Sequence, residues 1–246
     1  MRIDHAFGTT MVGDILRRTL ATYRAHFFLF VSLSAVIYIP YYLFLAAVPW
    51  GRSLPAMAGA IVPGIVAQAL ASAMVIWVII RTALGYEVGL VNVLGSLTPS
   101  LVVKLLGTIL MVTVAVSSAF LLLILPGLVL LVWLSLVNQV VVVERMAYLP
   151  AVRRSLQIIR GSWWQVLSVL LGLVLINLTA LLVIGSLFGD DAAWPGQLFG
   201  ILFVPFWSIS LTLLYFDLRT AKEGFAMASL EGGPGMSREE DHSSPW

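Results

Sequence analysis

The chain has no cysteine. Disulfides, thiolate metal sites and thiol nucleophiles are therefore excluded. Its three histidines, His5, His26 and His242, are scattered without the spacing of a metal site. Charge is scarce as well. Asp, Glu, Lys and Arg make up 11% of the 246 residues, against about 25% in soluble domains. So few charges cannot cover a water-facing surface. There is no HExxH, GxSxG, Walker loop or strand-linked GxGxxG, the patterns that bring metal, nucleophile or phosphate chemistry. Acid–base catalysis needs positioned titratable groups, and the interiors of the long apolar runs hold no Asp, Glu, Lys, Arg or His. No catalytic residue, metal or cofactor is expected, and the chain is not expected to be an enzyme. The same lack argues against proton-coupled transport, which usually places ionisable groups at membrane depth. The formal charge of +2 is small, and no nucleic-acid partner is expected.

What is abundant is apolar surface: 60% of the residues are hydrophobic, with a mean hydropathy of +1.01. This composition predicts an all-α, polytopic membrane protein. A spanning helix needs about 20 apolar residues, because roughly 30 Å of hydrocarbon is crossed at about 1.5 Å per residue. Uncharged stretches bounded by Arg24, Arg52 and Arg81 place spans at 27–48 and 56–80. No charge then separates Lys104 from Glu144. As one helix that stretch would be about twice as long as the hydrocarbon is thick. Pro126-Gly127 lies near its middle, and the pair is read as a reversal between spans at 105–125 and 128–143. A fifth span runs over 163–188. Asp190-Asp191 and Pro195-Gly196 mark a turn before a sixth at 197–215. The alternative is five spans, with Pro126 kinking one long helix.

Charge favours six. Arg2, Arg17, Arg18, Arg24, Arg81, Lys104, Arg145, Arg153, Arg154, Arg160, Arg219, Lys222 and Arg238 then share the side of the N-terminus, and only Arg52 lies opposite. By the positive-inside rule that side is cytoplasmic, so both termini are expected there. The first 26 residues hold no apolar core, so no cleavable signal peptide is expected. Residues 1–228 read as one membrane domain. Residues 229–246, rich in Gly, Ser, Pro and acids, read as a disordered cytoplasmic tail.

Two segments before spans are amphipathic. Interfacial helices are expected over 12–26 and 150–162. In the first, Val12, Ile15, Leu16, Leu20, Tyr23 and Phe27 form one stripe, with Asp14, Arg17, Arg18 and Arg24 opposite. In the second, Val152, Leu156, Ile159 and Trp163 oppose Arg153, Arg154, Gln157 and Arg160. Both follow the 3.6-residue period. The segments align at an offset of 136: Arg17-Arg18-Thr19-Leu20 with Arg153-Arg154-Ser155-Leu156, Arg24 with Arg160, Phe27-Phe28 with Trp163-Trp164, and Ser32 with Ser168. The middle segment, 90–103, holds the equivalent place without the Arg pair. The pattern predicts parallel repeats of an interfacial helix plus a hairpin, related by an axis along the membrane normal. Chance likeness of basic amphipathic segments is the competing explanation.

A basic amphipathic helix lies in the headgroup plane, with its apolar face in the acyl boundary and its cations on lipid phosphates. Arg17, Arg18, Arg24, Arg153, Arg154 and Arg160 are thus candidates for binding anionic headgroups of the cytoplasmic leaflet. The plainer alternative is that these helices only orient the spans. Glu144, Asp217 and Arg219 fall at the same interface, and Glu144 or Asp217 is expected to pair with Arg17, Arg18, Arg153 or Arg154. Separate solvation of these charges is the alternative. Gln68, Asn138, Gln139 and Asn177 are polar residues inside spans that could hydrogen-bond between helices. They read as interhelical hydrogen-bond glue before they read as a substrate path. Ala60, Gly64, Ala67 and Ala71, with Gly196-x-x-x-Gly200, suit close helix contact or plain apolar filling. Pro40, Pro63 and Pro205 are expected within helices, as membrane proteins tolerate.

The motifs Gly13-Asp14-Ile15-Leu16, Tyr23-Arg24-x-x-Phe27, Pro126-Gly127, Val143-Glu144, Ala151-x-x-x-Ser155 and Arg160-Gly161 occur in that order. They precede Leu214-Tyr215-Phe216-Asp217-Leu218-Arg219 and Lys222-Glu223-Gly224-Phe225. Over residues 10 to 228 the set resembles the membrane domain attached to some bacterial glycerophosphoryl diester phosphodiesterases, and stand-alone proteins similar to it. In those enzymes a separate soluble domain carries the chemistry, and nothing here resembles it. The resemblance implies a bacterial cytoplasmic membrane protein without hydrolase activity. The expected function is lipid organisation, or anchoring of a protein partner or second copy, through the Arg-rich face. The alternative is a transporter or facilitator of a small amphipathic or lipid-like solute.

Overall fold

The computed structural model describes residues 9–47, 54–86, 88–95 and 98–223. Among them the chain is all-α, with no strand. The helices are α1 (Thr9–Ala25), α2 (Phe27–Ala47), α3 (Leu54–Ala83), α4 (Leu90–Gly95), α5 (Pro99–Leu122), α6 (Ile124–Leu134), α7 (Val137–Val143), α8 (Tyr148–Ile159), α9 (Trp163–Phe188) and α10 (Ala193–Glu223). A 3₁₀ turn, Gly189–Ala192, joins the last two. Among the described residues, six segments are long and apolar enough to cross a bilayer: α2, the Ile61–Ala83 part of α3, α5, α6 with α7, α9 and α10. The chain is an integral, multi-pass membrane protein.

Burial sorts the spans by their place in each hairpin. The first helices, α2, α5 and α9, bury only 22%, 17% and 17% of their spanning residues. The second helices, α3, α6 with α7, and α10, bury 61%, 50% and 56%. The second helices also touch one another, through α3 with α10, α3 with α7 and α7 with α10. A central triangle of helices is thus surrounded by three peripheral ones, whose exposed Leu, Val and Ile suit contact with lipid. Each hairpin is preceded by a short helix seated on the preceding hairpin. α4 contacts α2 and α3, and α8 contacts α5, α6 and α7. α1, the first described helix, closes the ring on α9 and α10.

The chain reverses between α5 and α6, which excludes one long kinked helix, but not at Pro126-Gly127. Leu123, extended at φ −160° and ψ 143°, makes the turn. Pro126 sits in the first turn of α6, where its missing N–H leaves no intrahelical bond unmade. Gly127 serves close approach instead. A Cβ there would lie 2.5 Å from the Phe120 ring and 2.9 Å from its Cα. The third span starts at Pro99 rather than 105, since proline is preorganised for the first helical position. The fourth is broken at Ser135-Leu136. The sixth starts earlier than 197, at Ala193, and runs past 215 to Glu223, so Asp217 and Arg219 are helical. α8 ends at Ile159 because the chain turns through Gly161 at φ +86°. Pro40, Pro63 and Pro205 lie inside continuous helices. The expected tail, 229–246, lies outside the described residues, as does Arg52.

Candidate functional site

The site begins with how α1 and α8 are seated. In α1 the buried line is Ile15, Thr19 and Tyr23; in α8 it is Ala151, Ser155 and Ile159, with Ile158 buried beside it. These are the same three positions at the offset of 136. The line is rotated from the expected stripe: Leu20 is 47% exposed, while Thr19 is fully buried. The cause is docking against protein rather than resting on lipid alone. A small hydroxyl lets the helices approach and finds a partner there. Ser210 donates to Thr19 Oγ1 at 3.1 Å, and Ser155 donates to the Trp133 carbonyl at 2.8 Å. The Trp133 carbonyl lies beside the α6–α7 break, where the helical ladder is interrupted. The Tyr23 hydroxyl donates to the Leu202 carbonyl at 2.9 Å.

Beside each buried line stands one clamped arginine. Arg18 grips the Asp217 carboxylate with both terminal nitrogens, one of them at 3.1 Å from Oδ1. Asp14 lies 3.5 Å from Arg18 Nε. The hydrogen bond from Asp217 raises the Arg18 pKa above its ordinary value, against some loss by burial. At the equivalent position, Arg154 Nε donates to Glu144 at 2.8 and 3.0 Å. Its terminal nitrogens reach Glu223 at 2.6 and 2.8 Å. The bond to Glu223, then that to Glu144, raises the Arg154 pKa. Glu144 also accepts from the Tyr215 hydroxyl at 2.7 Å and faces Arg219 at 3.9 Å. Arg219 Nε donates to Glu223 at 3.2 Å. Two carboxylates and two guanidinium groups thus close a neutral network. Lys222 binds the end of α8, through the carbonyls of Ile158, at 2.6 Å, and Arg160. These contacts place α1, α8, the end of α7 and the end of α10 in one layer on one side of the bundle.

The six candidate arginines therefore divide. Arg18 and Arg154 are held by carboxylates. Arg17, Arg24, Arg153 and Arg160 are exposed and make no ion pair with a described residue. The division respects the offset of 136, with Arg17 matching Arg153 and Arg24 matching Arg160. Each free pair is seven residues apart, which is two helical turns and about 10 Å. Phe28 and Trp164, also equivalent, stand exposed just beyond. The third corner differs. Arg81, at the offset position of Asp217, ends α3 with its guanidinium 4.8 Å from the Trp77 ring and 5.0 Å from that of Tyr86.

The intramembrane polar residues are dispersed. Gln68 accepts from the Tyr38 hydroxyl at 2.6 Å. Asn138 donates to Ser72 at 3.2 Å. Gln139 is buried, its Oε1 without a hydrogen-bond partner among the described residues. Asn177, on peripheral α9, is half-buried. Ala67 and Ala71 are buried beside Tyr38 and Ile201, while Gly64 and Gly200 receive Tyr41 and Tyr42. Two apolar pockets, of about 160 and 220 Å³, lie between α3 and α5 and among α5, α6 and α8. Neither is lined by Gln68, Asn138, Gln139 or Asn177.

Sequence reasoning gave no site role to Tyr215, Lys222 or Glu223, and ending the sixth span at 215 left the last two off the helix. Glu223 lies four residues after Arg219, and Tyr215 four before it. That is the spacing at which side chains meet on a helix, and it was the available signal. No protein-family model, no curated protein and no solved structure matches this chain.

Proposed function

We propose that this is a non-enzymatic, lipid-organising membrane protein of the bacterial cytoplasmic membrane. Arg17 with Arg24, and Arg153 with Arg160, hold phosphates of anionic lipids in the cytoplasmic leaflet. The observation that carries the reading is the shared division of labour in two repeats. One arginine of each adjacent pair is taken up by a carboxylate, and the same other positions are exposed and unpaired with any described residue. Each cation near an anionic surface contributes about 1 kcal/mol, so four free arginines amount to roughly 4 kcal/mol. Phe28 and Trp164 suit the headgroup boundary, where aromatic rings concentrate. The cytoplasmic orientation rests on the distribution of basic residues. The bacterial assignment rests on the resemblance to phosphodiesterase membrane domains. The same surface would also orient a bound partner or second copy toward the membrane.

Reconstitution tests this. In bilayers of mixed phosphatidylglycerol and phosphatidylcholine, the wild-type protein is expected to enrich phosphatidylglycerol among retained lipids. It should also melt higher in the anionic bilayer. The quadruple variant Arg17→Gln, Arg24→Gln, Arg153→Gln and Arg160→Gln should lose both effects. Equal retention and equal melting of the wild type in anionic and neutral bilayers would refute the proposal.

A further inference from the structure

The larger pocket lies under a helix that carries an exposed arginine next to three of the lining residues. Its volume is about 220 Å³. Ala115 of α5, Leu130 and Trp133 of α6, and Leu149, Val152 and Leu156 of α8 contribute to its wall, which is apolar throughout. It lies beneath α8, on the hairpin that α8 covers. Arg153 follows Val152 directly. On a helix of 3.6 residues per turn, residues three and four apart are neighbours, which places Arg153 on the flank that carries Leu149 and Leu156. Arg160 lies two turns further along the same flank. Both arginines are exposed and unpaired with any described residue, as stated above.

An apolar groove with a free guanidinium beside it matches a molecule whose long hydrocarbon chain ends in an anion. A second protein helix would bring apolar surface without an obligatory negative charge at the rim. A water-soluble phosphate would leave the groove unfilled. We infer that the groove among α5, α6 and α8 is the seat of one acyl chain of an anionic phospholipid whose phosphate is held by Arg153. This rests on the lipid reading above and sharpens it from a diffuse surface to a single site. α1 differs at the corresponding place, with Gly13 where α8 has Leu149. The site thus belongs to α8 rather than to both repeats.

The full chain in nanodiscs of phosphatidylglycerol and phosphatidylcholine, released into the gas phase for native mass spectrometry, reports individually retained lipids. The wild type is expected to keep one dipalmitoyl phosphatidylglycerol through conditions that strip the rest. Arg153→Gln should lower that occupancy about fivefold, the factor that corresponds to one interfacial cation. Ala115→Phe, at an exposed position that fills the groove without touching the core, should abolish it. Wild-type protein offered dihexanoyl phosphatidylglycerol should keep none, which tests the chain requirement without any mutation. Retention by Ala115→Phe equal to wild type would overturn the groove assignment. If Arg153→Gln alone then lost the lipid, the arginine surface would survive and the groove would not. Equal loss from the Arg17→Gln, Arg24→Gln variant would place the lipid elsewhere and overturn the inference. So would dimers free of lipid, which would make a second copy the occupant.

Discussion

α1 and α8 occupy the same place in two repeats, present an arginine at the same position, and use it for the same purpose in different surroundings. Arg18 and Asp217 remain 43% and 30% exposed in their side chains. Glu144 is only 8% exposed and Arg154 19%. The α1 corner is one guanidinium between Asp217 and the more distant Asp14, partly open to solvent. The α8 corner is a larger network in which Tyr215, Arg219 and the 37% exposed Glu223 join a largely buried Glu144–Arg154 pair. Exposed pairs contribute up to about 1 kcal/mol. A buried charge is costly unless every partner is in place. One repeat position therefore carries a dispensable contact at one corner and an indispensable one at the other. The third corner, at α4, has no arginine on its short helix, and Arg81 there rests on aromatic rings. Geometry is repeated around the ring, whereas the chemistry that fastens it is graded.

The sharpest way to break this comparison is Glu144→Gln. Arg154, Arg219 and Tyr215 would lose the shared negative charge, and one of its two acceptor oxygens would become an amide donor facing them, where Glu144 is only 8% exposed. Removing one partner of a buried pair costs about 3 kcal/mol at the low end of the known range, so unfolding in detergent should be destabilised by roughly that amount. Asp217→Asn should cost less than a third as much. Comparable losses from the two variants would show the corners to be alike. A cycle with Arg154→Gln isolates the pair, because the double variant should lose much less than the sum of the singles.

The spans were legible because bilayer thickness sets the length of an apolar run, and scarce charges mark its ends. What was illegible is decided by neighbouring backbone. Nothing in the apolar stretch after Lys104 distinguishes Leu123 as the turn, since the need for Gly127 beside Phe120 exists only once the two helices are packed. Arg17 and Arg18 are identical and adjacent. Only the position of α10 selects the second for Asp217 and leaves the first outside. Thr19 and Ser155 belong to neither face of the amphipathic pattern, because a hydrophobicity pattern cannot credit a hydroxyl whose hydrogen-bond partner lies in another hairpin. The free arginines, by contrast, were all named from amphipathic spacing, which is a property of one helix alone.

A middle-sized effect should separate the two seats of these hydroxyls. Ser155→Ala removes the donor to the Trp133 carbonyl at the α6–α7 break. A buried acceptor left unsatisfied costs roughly 1–3 kcal/mol. Thr19→Val should cost less, because Ser210 keeps its second bond, to the Phe206 carbonyl at 2.9 Å. Thermal melting of the two variants side by side in one detergent checks the order. If Thr19→Val were the more damaging, the α1 corner would be the firmer of the two.

The smallest expected effect is also the most diagnostic of exposure. Arg18→Gln breaks the grip on Asp217 but leaves both sites accessible to water, so the loss should be at most about 1 kcal/mol. Because such a pair is screened by salt, the difference between wild type and Arg18→Gln should shrink as ionic strength rises. The difference between wild type and Glu144→Gln should persist, since buried charges are screened much less. Melting curves for both variants at low and high salt give the two differences directly. A salt-independent Arg18→Gln effect of the size seen for Glu144→Gln would mean that the α1 corner is sealed by lipid. Asp217 would then count among the groups that cannot be left without a partner.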